Sequence, residues 1–367
     1  MSAIAPGGRI GILGGGQLGR MLASAAAELG FTCHIYCPDE DAPATHVAAA
    51  ATRAAYEDAG ALARFAASVD VVTYEFENVP AETARILGEH APVRPGARAL
   101  ATAQDRFVEK SFLASHGIPT APFADVSSLD ALEAALAAIG TPAILKTRRF
   151  GYDGKGQVTI RDAAEARPAH EAIARAPAIL EGFVPFEREI SVIVARGLDG
   201  HTAAYDPVEN LHKNHILDRT FAPASIDPAL AAEAGAIAAR IAAELDYVGV
   251  MGVEMFVLPV GTGPRILVNE IAPRVHNSGH WTMDACLVSQ FEQHIRAICG
   301  WPLGDPARHS DAVMTNLIGD DVNAWPDLAR EAGVAIHLYG KDEARPGRKM
   351  GHANRLYPLG KRPSPEA

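Results

Sequence analysis

Two separated groups of residues have types and spacing suited to handling a polyphosphate. The first is the stretch from Lys146 to Gln157, which packs two lysines, two arginines and three glycines into twelve positions. Glycines let a turn fold back until several backbone N–H groups face one anion, and the cations add charge. The stretch lacks the GxxxxGK[ST] pattern, so it is not an ordinary P-loop, and a surface hairpin rich in Gly and Lys has the same composition. The second group lies in two strand-like runs, Tyr247 to Glu254 and Arg265 to Glu270, joined by residues rich in Pro, Gly and Thr. Paired as neighbours, they bring Glu254 beside Glu270, with Asn269 next to it. Carboxylates inside apolar strands need cationic partners. Two acids and an amide oxygen suit Mg²⁺, which takes few protein ligands when it also binds phosphates.

Further groups stand near these. The loop Arg274 to Trp281 carries Arg274, His276, Asn277, Ser278 and His280, and an arginine there suits a planar anion bound by two hydrogen bonds. Glu75 and Glu77 follow the strand Val71 to Tyr74, at the strand end where open α/β sheets place ligands, although a solvated acidic loop reads the same way. The basic cluster Lys341, Arg345, Arg348, Lys349 and His352 fits either a phosphate monoester or a solvated basic turn. Gly14 to Gly19, between a strand and an alanine-rich helix, follows the dinucleotide fingerprint, with Asp39 where a ribose-binding acid would stand. An NAD site is therefore one reading of the N-terminus, and a turn that holds another phosphate or packs the helix is the other.

The elements that must position these residues are legible in outline. Strand, helix, strand, helix, strand, helix up to Gly88 reads as a doubly wound, Rossmann-like parallel sheet. Prolines and a glycine at 92–96 end it, and Asp105 opens a helix to His116 on which Arg106 and Lys110 share a face, the spacing of an exposed side. The strand Ala143 to Lys146 leads into the glycine stretch. Glu181-Gly182-Phe183-Val184-Pro185 reads as a linker able to meet an adenine ring or as an interdomain hinge. A single helix is expected over 283–299. These breaks divide the chain at 1–104, 105–184 and 185–367.

Composition narrows the classes. A net charge of −11 over 367 residues excludes a general nucleic-acid or anionic-membrane binder, and any basic site must be local. Cys33, Cys37, Cys286 and Cys299 form neither a CxxC pair nor a His/Cys cluster, the pattern of reduced thiols in the cytoplasm. No apolar run approaches membrane-spanning length.

Taken together, Gly14 to Gly19, Tyr74-Glu-Phe-Glu-Asn78, Phe150 to Gln157, Glu209-Asn-Leu-His212, Asn269-Glu270 and Ala272 to Trp281 resemble the N5-carboxyaminoimidazole ribonucleotide synthases, ATP-grasp enzymes of purine biosynthesis. The resemblance covers nearly the whole chain. It implies an ATP-grasp fold and a ligase that uses ATP, Mg²⁺ and bicarbonate to carboxylate 5-aminoimidazole ribonucleotide through carboxyphosphate, commonly as a homodimer. It assigns Arg106, Lys146, Gly151, Tyr152, Asp153, Gly154, Lys155, Gly156 and Gln157 to the ATP phosphates, and Glu181, Gly182, Phe183 and Val184 to the adenine. Glu189 goes to the ribose, with His212, Asn269 and Glu270 completing the nucleotide site and Glu254 and Glu270 holding the metal. Tyr152, Asp153, Lys155, Arg274, His276 and Asn277 would face the reacting groups. Lys341, Arg348, Gly15, Gln17, Leu18 and Glu75 would meet the ribonucleotide. A formate-dependent ribonucleotide formyltransferase or a biotin carboxylase would share the grasp and differ in acceptor.

Overall fold

A computed structural model describes residues 3–365 except 152, 153, 262 and 264. The first sheet contains β1 (Arg9–Leu13), β2 (Thr32–Cys37), β3 (Ala50–Arg53) and β4 (Val71–Tyr74), parallel and in the order β3-β2-β1-β4. Alternation decides its two faces. Ile10 and Ile12 pack with Met21 and Leu22 of the helix Gln17–Glu28, while Leu13, Tyr36 and Tyr74 pack with Leu62 and Phe65 of the helix Ala59–Ala66. The doubly wound reading of this region holds.

The second sheet is small and antiparallel: β5 (Phe123–Val126), β6 (Ala143–Thr147), β7 (Gln157–Ile160) and β8 (Ala178–Gly182), ordered β5-β8-β6-β7. Leu145, Ile160 and Leu180 form its own core with Leu132 and Leu136 of the helix Leu129–Ile139, which Ser128 caps by accepting the Ala131 N–H. β6 and β7 enclose the glycine-rich stretch as a hairpin.

The third sheet has nine strands. They are β9 (Arg188–Arg196), β10 (Thr202–Ala204), β11 (Val208–Lys213), β12 (Ile216–Ala222), β13 (Gly249–Val257), β14 (Ile266–Ala272), β15 (Asp311–Ile318), β16 (Val334–Leu338) and β17 (Lys349–Tyr357). The order is β14-β13-β9-β11-β12-β15-β17-β16, with β10 beside β9. On one face Ile190, Val192 and Val194 pack with Leu230, Ala234 and Ile241 of the helix Pro228–Glu244. On the other, Ile193 and Val250 share a core with Phe291 and with the helix Gln17–Glu28, so the first and third sheets are welded by common apolar packing.

Three expectations change. The region 283–299 is two helices, Thr282–Ala285 and Gln290–Cys299, because Ser289 caps a new start by accepting the Glu292 N–H. The basic cluster near the C-terminus is not one turn: Lys349–Tyr357 pairs with both β15 and β16, and His352 is fully buried, stacked 4.6 Å from His337 and bonded to the Tyr339 hydroxyl at 2.9 Å. The shared face of Arg106 and Lys110 points inward: Lys110 is 3% exposed and donates to the Val268 carbonyl at 3.1 Å. Spacing along a helix reveals which residues share a face, and the neighbouring β14 decided which way that face turns. All four cysteines are buried and unpaired. Among the described residues no helix is long and apolar enough to cross a membrane.

His294 ties the first sheet to the third. Its Nδ1 accepts the Val250 N–H at 3.0 Å, leaving Nε2–H to donate to Thr73 Oγ1 at 2.8 Å. Burial lowers its pKa to about 3, against 6.5 in the open chain. Stability from this neutral imidazole is therefore present above pH 6.5 and lost as the pH falls toward 3, where only the unfolded chain takes up the proton. Urea unfolding of His294→Leu is expected to show a loss of roughly 1–3 kcal/mol at pH 7.5, from two buried groups left unpaired. The gap to wild type should narrow between pH 6.5 and 4.

Candidate functional site

One cleft of about 610 Å³ lies between the second and third sheets and reaches the carboxyl ends of β1 and β4. Its size suits a nucleotide-scale ligand. The glycine-rich hairpin supplies one wall through Gly151, Gly154, Lys155 and Gln157, with Lys146 at its root. Gly154 has φ +77°, and a Cβ there would stand 2.7 Å from the His215 Cβ, so the hairpin needs glycine both for its turn and for its approach to the β11–β12 tip. Gly156, at φ +71°, is pressed against Thr147 and lies off the cleft wall. Tyr152 and Asp153 lie outside the described residues.

The opposite wall is β13 and β14. Glu254 and Glu270 are register partners and both face the cleft with Asn269. Burial, then the Glu270 charge, raises the Glu254 carboxyl to about 7. Burial also works against the Glu270 charge, but the Arg106 guanidinium, 2.9 Å away, outweighs it and holds that carboxyl below its ordinary value. Arg106 also donates to the Gly151 carbonyl at 3.1 Å, linking the acidic wall to the hairpin. Two carboxylates and an amide in a half-buried, cation-lined cleft form a donor set that fits a hard divalent ion.

Lys146 meets Glu181 at 2.8 Å. Burial alone would raise the Glu181 carboxyl, yet the Lys110 and Lys146 ammonium groups bring it to about 2. Glu181, Gly182, Phe183 and Val184 are not part of the cleft wall: Gly182 and Phe183 donate backbone N–H bonds to the Pro122 and Pro142 carbonyls, and the Phe183 ring is 49% exposed. Glu189 and His212, from adjacent strands, pair at 2.6 Å inside the cleft, and Glu189 raises the His212 pKa against the effect of burial.

At the far end Gln17, Leu18, Glu75, Arg274, His276 and Asn277 converge. Glu75 is 8% exposed and accepts from the backbone N–H of Gly16 and, at 2.6 Å, of Gly19. It is thus a buried cap on the helix Gln17–Glu28 rather than part of a solvated loop. Its carboxylate takes the N–H groups that a dinucleotide pyrophosphate would need, which removes the NAD reading. Gly15 is buried against Ala42 and Cys37 and serves packing. Glu77, the other acid of that pair, meets Arg274, whose charge brings its carboxyl to about 2 although burial pushes the other way. Asn277 and Asn316 exchange amide hydrogen bonds at 3.0 and 2.8 Å. Burial, then the nearby Arg274 and Lys349 charges, lowers His276 to about 3.

Lys341 and Arg348 lie off the wall. Lys341 donates to the Lys349 carbonyl at 2.7 Å, and burial, then Arg348, lowers it to about 8 while Glu75 opposes the shift. Of the C-terminal basic cluster, Lys349 lines the cleft. Spacing gave no reason to prefer it, because only its place on β17 turns it inward.

Family models match three consecutive regions: a ribonucleotide synthetase preATP-grasp domain at 8–104, an ATP-grasp domain at 111–291 and a phosphoribosylaminoimidazole carboxylase C-terminal domain at 312–358. The chain is 54% identical over 359 residues to the N5-carboxyaminoimidazole ribonucleotide synthase of Brucella melitensis, covering 97% of this chain and 98% of that one. The chain belongs to the N5-carboxyaminoimidazole ribonucleotide synthase family. A crystal structure of a family synthetase in complex with ADP superposes with a TM-score of 0.92 at 44% identity, over 96% of this chain and 93% of that one. An Aspergillus clavatus synthase in complex with ADP and 5-aminoimidazole ribonucleotide gives 0.89 at 31%, over 96% and 94%. Within this synthase family fold, His215 is a cleft residue to which sequence reasoning gave no task, while Glu77, Lys349 and His280 had been named only within the acidic pair, the basic cluster and the Arg274 to Trp281 loop.

The Arg274 to Glu77 pair joins the third sheet to the end of β4. Arg274→Ala should cost roughly 1–3 kcal/mol in urea unfolding at pH 7, since it leaves Glu77 half-buried without its donor. Glu77→Gln combined with Arg274→Ala should restore part of that loss, as a double-mutant cycle would show.

Proposed function

We propose that the cleft carboxylates 5-aminoimidazole ribonucleotide at N5, with ATP as the energy source and bicarbonate as the carboxyl donor, releasing ADP and phosphate. The observation that supports this most directly is the facing of the glycine hairpin and Lys146 by Glu254 and Glu270, with Arg274 and His276 beyond them in the same cleft. The chain is an ATP-grasp ligase by family, and the geometry of the cleft supports the finer assignments. The natural division is a preATP-grasp region at 1–104, a central region carrying the hairpin at 105–184, and a region carrying the acids at 185–367.

Lys146, Lys155 and Arg106 are placed to hold ATP phosphates. The Glu189 carboxylate is placed to accept hydrogen bonds from ribose hydroxyls, and His212 orients it. Glu181 to Val184 serve the adenine only if the exposed Phe183 segment folds onto it. Mg²⁺ held by Glu254 and Glu270 would supply positive charge at the phosphate oxygens. A bicarbonate oxygen attacks the γ-phosphorus as the bond to the bridging oxygen breaks, giving ADP and carboxyphosphate. The substrate amine then bonds to the carboxyl carbon, the C–O bond to phosphorus breaks with its electrons on phosphate, and the departing phosphate takes the amine proton. Arg274 and His276 orient the oxygens of this labile species, and the hairpin closing over it excludes water. Lys349 and the first helical residues Gln17 and Leu18 would meet the ribonucleotide phosphate, with Lys341 behind Lys349. A homodimer in the cytoplasm is the expected working form.

Purified protein should release ADP only when ATP, Mg²⁺, bicarbonate and 5-aminoimidazole ribonucleotide are all present. Formate replacing bicarbonate with full activity would sink this reading. Glu270→Ala should lower ribonucleotide-dependent ADP release by a factor on the order of 10²–10³. Full activity in that variant, with an unchanged thermal melt, would remove Glu270 from the metal site.

A further inference from the structure

His276 is gripped on several sides by groups that nothing above assigns a task. Gln290 accepts its backbone N–H at 2.9 Å and donates to its carbonyl at 2.7 Å. Gly252 makes room for it, since a Cβ there would stand 2.7 Å from the His276 Cβ. On the ring, Nδ1 receives the Ser278 backbone N–H at 3.4 Å and lies 2.8 Å from Ser278 Oγ. A backbone N–H only donates, so Nδ1 presents its lone pair.

That one fixed donor orders a longer file. Ser278 Oγ–H donates to Nδ1, and Ser278 Oγ accepts in turn from Ser191 Oγ at 2.6 Å. Ser191 Oγ accepts from Asn210 Nδ2 at 2.9 Å, and Asn210 Oδ1 accepts from Thr220 Oγ1 at 2.9 Å. Ser191, Ser278 and Thr220 are fully buried and Asn210 is 4% exposed, so bulk water does not compete for these links. Every link has the same polarity, and the file delivers the imidazole proton to Nε2, which points to Glu254 Oε1 at 3.4 Å on the cleft side.

We propose that Thr220, Asn210, Ser191 and Ser278 are positioning residues that hold His276 as the Nε2–H tautomer, so that it meets the reacting groups as a hydrogen-bond donor to oxygen and not as a base. The tautomer stands on the geometry alone. The donor role rests on the carboxylation reading, and it requires the amine proton to leave on another group, consistent with phosphate as its acceptor.

Long-range ¹H–¹⁵N spectra of histidine-labelled protein, with the His276 signals identified by their loss in His276→Gln, report the tautomer directly. Wild type should show Nε2 protonated and Nδ1 bare, with or without MgATP. Ser278→Ala removes the 2.8 Å hydroxyl donor and leaves Nδ1 only the 3.4 Å backbone N–H, so the Nδ1–H form should gain population and kcat should fall by about 10- to 100-fold with the KM for ATP little changed, the scale seen when a group that orients a site residue is removed. Thr220→Val, isosteric and remote from the cleft, should move both readings in the same direction by less, and it carries the test if Ser278→Ala does not fold. His276→Gln keeps a donor near Nε2 and should retain at least about tenfold more kcat than His276→Leu, in keeping with the usual worth of one charge-directed hydrogen bond. Wild type in the Nδ1–H form, or tautomer and kcat both unmoved in the positioning variants, would overturn the proposal. Equal loss in His276→Gln and His276→Leu would overturn the donor role. Wild-type ADP release that ignores bicarbonate would instead defeat the carboxylation reading and leave the tautomer result intact.

Discussion

Two like charges standing opposite each other on neighbouring strands are the constraint around which this cleft is built. Glu254 and Glu270 are register partners on strands made mostly of apolar residues, and two half-buried carboxylates there repel and resist desolvation. The structure compensates by drawing cations from elsewhere in the chain. Arg106 comes from a helix more than 160 residues earlier and fastens to Glu270, while Lys110 from the same helix lies behind β14 on the Val268 carbonyl. Glu254 has no arginine partner among the described residues, and burial, then the Glu270 charge, holds its carboxyl above its ordinary pKa.

The same electrostatics connects the three sheets. Arg106 bonds to both Glu270 and the Gly151 carbonyl, so the helix that follows the first sheet touches the acids of the third and the hairpin of the second. Arg274 reaches from the loop after β14 to Glu77 at the end of β4. Glu75, two residues before, turns the other way and caps the helix Gln17–Glu28. Apolar packing welds the first and third sheets, whereas the second sheet has a core of its own.

Much of this was legible in the residue pattern. The alternation of short apolar runs and helical stretches located the parallel sheet, and the two strands ending at Glu254 and Glu270 were correctly expected to pair. The glycine hairpin was recognised by composition, since positive φ and close approach leave few alternatives to glycine. The last strand was harder, because β17 carries Lys349, His352, Asn354 and Arg355 and lacks clean alternation. His352 there was read with the basic cluster and is instead stacked in the core.

The sequence by itself determined which residues carry charge, which turns demand glycine and which strands carry the acids, because these depend on local backbone geometry and on side-chain chemistry. The tertiary structure decided which way each polar group turns. Whether Arg106 and Lys110 face water or β14, whether Glu75 caps a helix or waits for a ligand, and whether Lys341 or Lys349 lines the cleft depend on partners tens to hundreds of residues away. A buried polar group must find such a partner to be tolerated, and that partner is set by the packing of the sheets and not by the neighbours in the chain.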